Sequence, residues 1–188
     1  MRTLLAVILT LTWSILASAA QAEAWKPAAG PLATRWAKDV SPQRVHPEYP
    51  RPQLVRQNWL NLNGLWQLAI GKPDDSLPAG KDLAEKILVP FPVESALSGV
   101  MKQADRLWYR RTFQIPEAWK GSRVLLHFQA VDWEATVYGN GKEVGAHRGG
   151  FDALSLDVTE ALKPAGDQEL IVKVFDPTDQ GSQPRGKQ

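Results

Sequence analysis

The chain has 188 residues, no cysteine and a formal net charge of +2. No disulfide framework is available to it, and no basic excess suggests nucleic acid or an anionic membrane as partner. Stability has to come from an apolar core, for which the chain is long enough.

The first segment reads as a targeting signal rather than as fold. Met1-Arg2-Thr3 carries one positive charge, and Leu4 to Leu16 is apolar apart from Thr and Ser. Ala20-Gln21-Ala22 supplies the small residues of a cleavage site, with Ala17-Ser18-Ala19 as an upstream alternative. Residues 1–22 are therefore expected to be a secretory signal peptide, and the protein to be secreted or periplasmic. The run is too short for a permanent bilayer anchor, and it lacks the polar face of an amphipathic core helix. Without cysteine there is no site for a lipid anchor either.

Residues 23–56 contain Pro27, Pro31, Pro42, Pro47, Pro50 and Pro52. Each fixes φ and removes a backbone donor, so this stretch is expected to be an extended arm over the domain surface. A β-sandwich is expected over 57–188. Gly64 to Ile70 reads as its first strand, Lys86 to Phe91 as the second, and Leu107 to Ile115 as the third. The third places Tyr109, Phe113 and Ile115 on one face, while Trp108 shares the other with Arg110 and is a candidate for the outer surface. From Ser122 to Val131, Val124, Leu126, Phe128 and Ala130 alternate with Arg123, His127 and Gln129, the period of a half-buried strand.

Asn140-Gly141 is the preferred pair for a type I′ hairpin turn. A two-residue loop there sets Val137 opposite Val144. After Gly149-Gly150, Leu154, Leu156 and Val158 alternate. Thr159 to Leu162 makes one short helical turn, and Leu170, Val172 and Val174 form the inner face of a last strand. Seven or eight short strands with turns at this spacing predict an all-β fold, a jelly-roll or galactose-binding-like antiparallel β-sandwich.

Catalytic chemistry is thin. Glu94, Asp132, Glu134, Asp152, Asp176 and Asp179 are the candidate acids, and each is expected to solvate or cap a turn. His46, His127 and His147 lack metal-ligand spacing, and His127 falls on the outward face of its strand. No catalytic, cofactor-binding or metal-binding residue is assigned, and no cofactor is expected. Sugar binding needs an aromatic ring beside polar groups. Trp25, Trp36, Trp108, Trp119 and Trp133 are the candidates, whereas Trp59 and Trp66 read as scaffold.

Several blocks, in order, resemble the N-terminal sugar-binding domain of family 2 glycoside hydrolases, the group of β-galactosidases and β-glucuronidases. They are Asn58-Trp59-Leu60-Asn61-Leu62-Asn63-Gly64-Leu65-Trp66, Leu88-Val89-Pro90-Phe91-Pro92 and Trp108-Tyr109-Arg110-Arg111-Thr112-Phe113. The hairpin Val137 to Gly145, followed by His147-Arg148-Gly149-Gly150-Phe151, continues the likeness, and Asp157-Val158-Thr159 with the strand Gln168 to Phe175 closes it. Gly139 departs from the apolar residue usual before the Asn.

The resemblance implies a support domain of a retaining β-glycosidase, acting on carbohydrate through the complete enzyme and packed on downstream domains. Loops such as Pro92 to Arg106 and Asp176 to Gln188 would edge the active site. In that family the two catalytic carboxylates lie in a TIM barrel, so the chain is expected to stop short of the catalytic domain and to be inactive alone. The alternatives are a freestanding carbohydrate-binding module, or a structural sandwich that touches no sugar.

Overall fold

The computed structural model describes residues 25–30, 32–178 and 180. The leader expected over 1–22 and the candidate acid Asp179 lie outside the described residues. Eight strands follow in chain order: β1 (Gly64–Ile70), β2 (Glu85–Val89), β3 (Arg106–Phe113), β4 (Leu125–Phe128), β5 (Glu134–Gly139), β6 (Lys142–Arg148), β7 (Leu154–Asp157) and β8 (Gln168–Phe175). Six form one antiparallel sheet in the order β2-β1-β3-β8-β5-β6, and β4 pairs with β7 in a second sheet.

The core lies between these two layers. Trp66, Leu68, Ile87, Leu107, Val137, Leu170, Val172 and Val174 supply the inner face of the large sheet. Leu126, Phe128 and Leu156 pack against it from the small sheet, and Val93, Val100 and Ala104 from the β2–β3 connection. Every inner residue of β8 is two positions from the next, as a pleated strand requires. The architecture is the expected antiparallel β-sandwich.

Several local expectations need correction, among them the strand expected from Ser122 to Val131, which is confined to Leu125–Phe128. The second strand ends at Val89, because Pro90 has no N–H to continue the ladder. The third strand ends at Phe113, leaving Ile115 beyond it. In the β5–β6 hairpin, Asn140 and Gly141 have φ of 49° and 83°, as a type I′ turn requires. Yet Val137 faces Gly145, not Val144, because the register shifts by one residue between Val137 and Tyr138. This β-bulge keeps Val144 on the core and brings Gly145 against β7, where a Cβ would stand 2.6 Å from a Leu156 methyl.

Residues 25–56 contain two 3₁₀ turns, Ala37–Asp39 and Pro52–Leu54, and one isolated bridge, Ser41 to Arg44. They are tied to the sandwich by hydrogen bonds. The Ala28 N–H donates to the Ala96 carbonyl at 2.8 Å, the Trp25 indole to the Ser98 carbonyl at 3.3 Å, and the Asn61 amide to the His46 carbonyl at 2.8 Å. No helix among the described residues is long and apolar enough to cross a membrane.

Candidate functional site

The strand register gathers one set of loops at one end of the large sheet. Phe175 at the end of β8 faces Arg106 on one side and Glu134 on the other, and Glu134 faces Arg148. The Gly149 N–H donates to the Trp133 carbonyl at 2.8 Å, and the Asp176 N–H to the Asp105 carbonyl at 2.8 Å. A methyl group on Gly149 would stand 3.4 Å from His147 Nε2 and 3.5 Å from Asp152 Oδ2. Asp132, Glu134, Asp152 and Asp176 thus all lie at this end. Glu94 is exposed on the β2–β3 connection, where its charge adds to the burial that pushes the Tyr109 phenol up.

Two of the acids at this end are committed to structure. The Arg148 Nε donates to Glu134 Oε2 at 2.9 Å, and Asp176 Oδ1 accepts the Thr178 N–H at 2.8 Å. Among the described residues no group of three His, Asp or Glu side chains is placed to hold a metal ion. Trp133 Nε1 and His147 Nε2 are buried at the same end without a hydrogen-bond partner. Buried polar atoms are nearly always satisfied.

The outer face of the large sheet carries a charged network. Arg110 Nε donates to Glu169 Oε1 at 2.6 Å, and Arg110 Nη1 to Asp82 Oδ1 and Gln67 Oε1, both at 2.9 Å. Glu169 also accepts the Gly80 N–H, at 3.0 and 3.1 Å to its two oxygens. Gln67 closes the loop, donating to Asp82 at 2.8 Å and accepting the Leu83 N–H at 2.9 Å. Hydrogen bonding from Gln67, then the Arg110 charge, holds the Asp82 carboxyl below its ordinary range. The effect is to pin the β1–β2 connection against the sheet.

Trp108 lies on that outer face, as the alternation predicts, but it is only 4% exposed. Gly71, Lys173 and Tyr138 surround it, with the Lys173 ammonium 5.3 Å from the ring centroid. It offers no open stacking surface. Trp66 is in the core, Trp25, Trp59, Trp119 and Trp133 are half-buried, and Trp36 is 61% exposed. His127 is exposed as expected, but it is not simply solvated: Nδ1 lies 2.7 Å from Ser155 Oγ and the ring stacks on Trp59 at 5.9 Å. His46 belongs to the N-terminal segment, far in sequence from the other two.

Sequence reasoning missed the Arg110–Glu169–Asp82 network. Alternation marks Arg110 as outward, but nothing local shows that Glu169, 59 residues later, stands beside it.

The family model described as "Glycosyl hydrolases family 2, sugar binding domain" matches residues 49–182. A β-galactosidase from Thermoanaerobacter pseudethanolicus is 41% identical over 69 residues, which are 37% of this chain and 9% of that protein. A β-glucuronidase from Paenibacillus borealis is 27% identical over 134 residues, 67% of this chain and 22% of that protein. Among solved structures, the Faecalibacterium prausnitzii β-glucuronidase superposes with a TM-score of 0.53 at 30% identity, covering 62% of this chain and 20% of that one. The Lactobacillus rhamnosus β-glucuronidase gives a TM-score of 0.54 at 30% identity, covering 61% and 20%. The chain thus spans at most about a fifth of the curated relatives named here. With the β-sandwich and the order of its strands, the match over most of the chain establishes that this protein belongs to glycoside hydrolase family 2 through that family's sugar-binding domain.

Proposed function

We propose that this chain is the non-catalytic support domain of an exported retaining β-glycosidase, with hydrolysis carried out by a separate catalytic domain. The reading is carried by the match of the family's sugar-binding domain over 49–182, together with the likeness to proteins named β-glucuronidase and β-galactosidase that are several times longer. Retaining hydrolysis needs two carboxylates held about 5–5.5 Å apart across one bond, one of them kept protonated. Here Glu134 is neutralised by Arg148 and Asp176 caps its own turn. The loop end with Trp133, His147 and Asp152 is the surface that packs toward the catalytic domain and edges the substrate. Export follows from the leader-like residues 1–22 and puts the enzyme in the periplasm or outside the cell.

The test compares the 188-residue chain with the longer enzyme of which it is proposed to be part, on a panel of aryl β-glycosides, with anomeric configuration followed by NMR. The chain alone is expected to give no turnover, and the longer polypeptide to hydrolyse with retention. Turnover by the chain alone, lost on replacing one of its own acids, overturns the reading.

A further inference from the structure

The N-terminal segment builds a groove that the family match does not include. Its walls come from Trp36, Asp39, Arg44, His46 and Glu48, ahead of the matched span 49–182, and Phe91 closes it from the sandwich. Its volume is about 300 Å³, at the small end of the range for small-molecule sites. We propose that this groove is an accessory binding site for a neutral pyranose unit of a glycan, separate from the loop end of the sandwich.

Trp36 supplies the stacking surface. It is 61% exposed, and the Arg35 guanidinium lies 4.4 Å from the ring centroid. That cation covers one ring face and orients the indole, leaving the other for the C–H face of a sugar. An exposed indole beside an apolar floor, formed here by buried Val45 and half-buried Phe91, is the environment such a face requires.

The polar rim supplies hydroxyl recognition. Asp39, Arg44 and Glu48 are exposed, and none of their side chains makes a hydrogen bond or ion pair with another described residue. Two carboxylates accept from sugar hydroxyls and one guanidinium donates to them, which matches the mixed donor and acceptor character of a pyranose. Asp39 and Glu48 are balanced by Arg44 and by the Arg35 guanidinium on Trp36, so the groove carries no net charge and suits a neutral sugar better than a uronate.

The groove is held in shape. His46 sits in the left-handed region at φ 44°, its carbonyl fixed by the Asn61 amide at 2.8 Å, and its ring lies 6.1 Å from Phe91. The Asn63 amide reaches the Val45 carbonyl at 3.4 Å. Asn61 and Asn63 lead directly into β1, so the wall is anchored to the sandwich. A wall already fixed loses little further freedom on binding. The proposal does not depend on the domain's role in catalysis.

The test is an NMR titration of the full chain with methyl β-glucoside, methyl β-galactoside and methyl β-glucuronide, and with neutral β-linked disaccharides. At least one neutral sugar is expected to shift the Trp36 indole resonance and the Val45 and Phe91 amides saturably, with a Kd in the millimolar range (about 1–10 mM). Trp36→Ala, at an exposed position, should leave the rest of the spectrum intact and weaken binding about tenfold or more. Glu48→Gln should weaken it severalfold. Absence of saturable shifts at the groove overturns the proposal, as does unchanged affinity in Trp36→Ala. Tighter binding of the glucuronide than of every neutral sugar overturns the assignment of a neutral ligand.

Discussion

Two side chains show how burial decides what a charge is worth. Arg110 and Glu169 are each only about a tenth exposed, while Asp82, the second partner of Arg110, is 84% exposed. Removing one member of a buried pair strands the other charge in a poorly solvated place, at a cost of about 3–5 kcal/mol. Arg110→Ala should therefore lose about 3 kcal/mol in urea denaturation, and Asp82→Asn should barely move the midpoint. Replacing both buried partners by Met should cost less than Arg110→Ala alone, since an apolar pair leaves no stranded charge. A double variant as unstable as the sum of the single ones contradicts this.

Asp157 illustrates the opposite, solvated case. The Thr159 hydroxyl at 2.6 Å, then Arg123 Nε at 2.6 Å and the Thr159 N–H at 3.0 Å, pull its pKa from the ordinary 3.8 to about 2. A depressed carboxylate pKa adds stability that is complete above the ordinary value and is lost as pH falls through the folded one. The Asp157 contribution should thus fade between about pH 4 and pH 2. In a carboxyl-carbon NMR titration, Thr159→Val should raise the Asp157 pKa toward 3.8 and Thr159→Ser should not. An Asp157 titration that does not respond to loss of the hydroxyl would remove Thr159 as the main cause.

At the scale of elements, the β5–β6 hairpin concentrates the local logic. Asn140 serves more than its turn. Its amide donates to the Ala161 carbonyl and Gln168 Oε1, both at 2.8 Å, and its Oδ1 accepts the Glu169 N–H at 2.9 Å. The turn is thereby joined to β8 and to the 3₁₀ turn Thr159–Ala161. Gly141 takes φ 83°, which a β-branched residue tolerates poorly. Gly141→Val should cost about 1 kcal/mol or more, read as a lower denaturant midpoint with an unchanged slope. An unchanged midpoint would show that the turn does not need Gly141.

The same hairpin marks where sequence reading stops. Strand existence and face were legible wherever apolar residues alternate: β1 in full, the inner face of β8, and Leu126 and Phe128 in β4. The turn was legible because Asn-Gly answers a backbone demand. The bulge at Val144 and Gly145 was not, because the residue that Gly145 packs against, Leu156, lies on a different strand. Burial of Trp108 was not legible for a similar reason. The residues that cover it, Gly71, Tyr138 and Lys173, come from three separate parts of the chain. The end where Asp132, Glu134, Asp152 and Asp176 lie follows from strand order, which alternation alone does not specify.

At the scale of the whole molecule, the sandwich has two unlike ends and an N-terminal segment hydrogen-bonded against it. Stability comes from one core between a six-stranded and a two-stranded sheet, with no disulfide to assist it. The loop end carries polar side chains, two of whose acids, Glu134 and Asp176, are held by neighbours. Such an end can position a substrate or a neighbouring domain without carrying out bond cleavage. The most direct measurement replaces Asp132, Glu134, Asp152 and Asp176 singly by the corresponding amide in the longer enzyme to which the chain is proposed to belong, and determines kcat. Each variant is expected to keep kcat within about tenfold of the parent, whereas loss of a residue central to the chemistry typically costs on the order of 10⁴-fold or more. A loss of that size from any one of the four, in a variant that remains folded, would put the chemistry in this domain and contradict its support role.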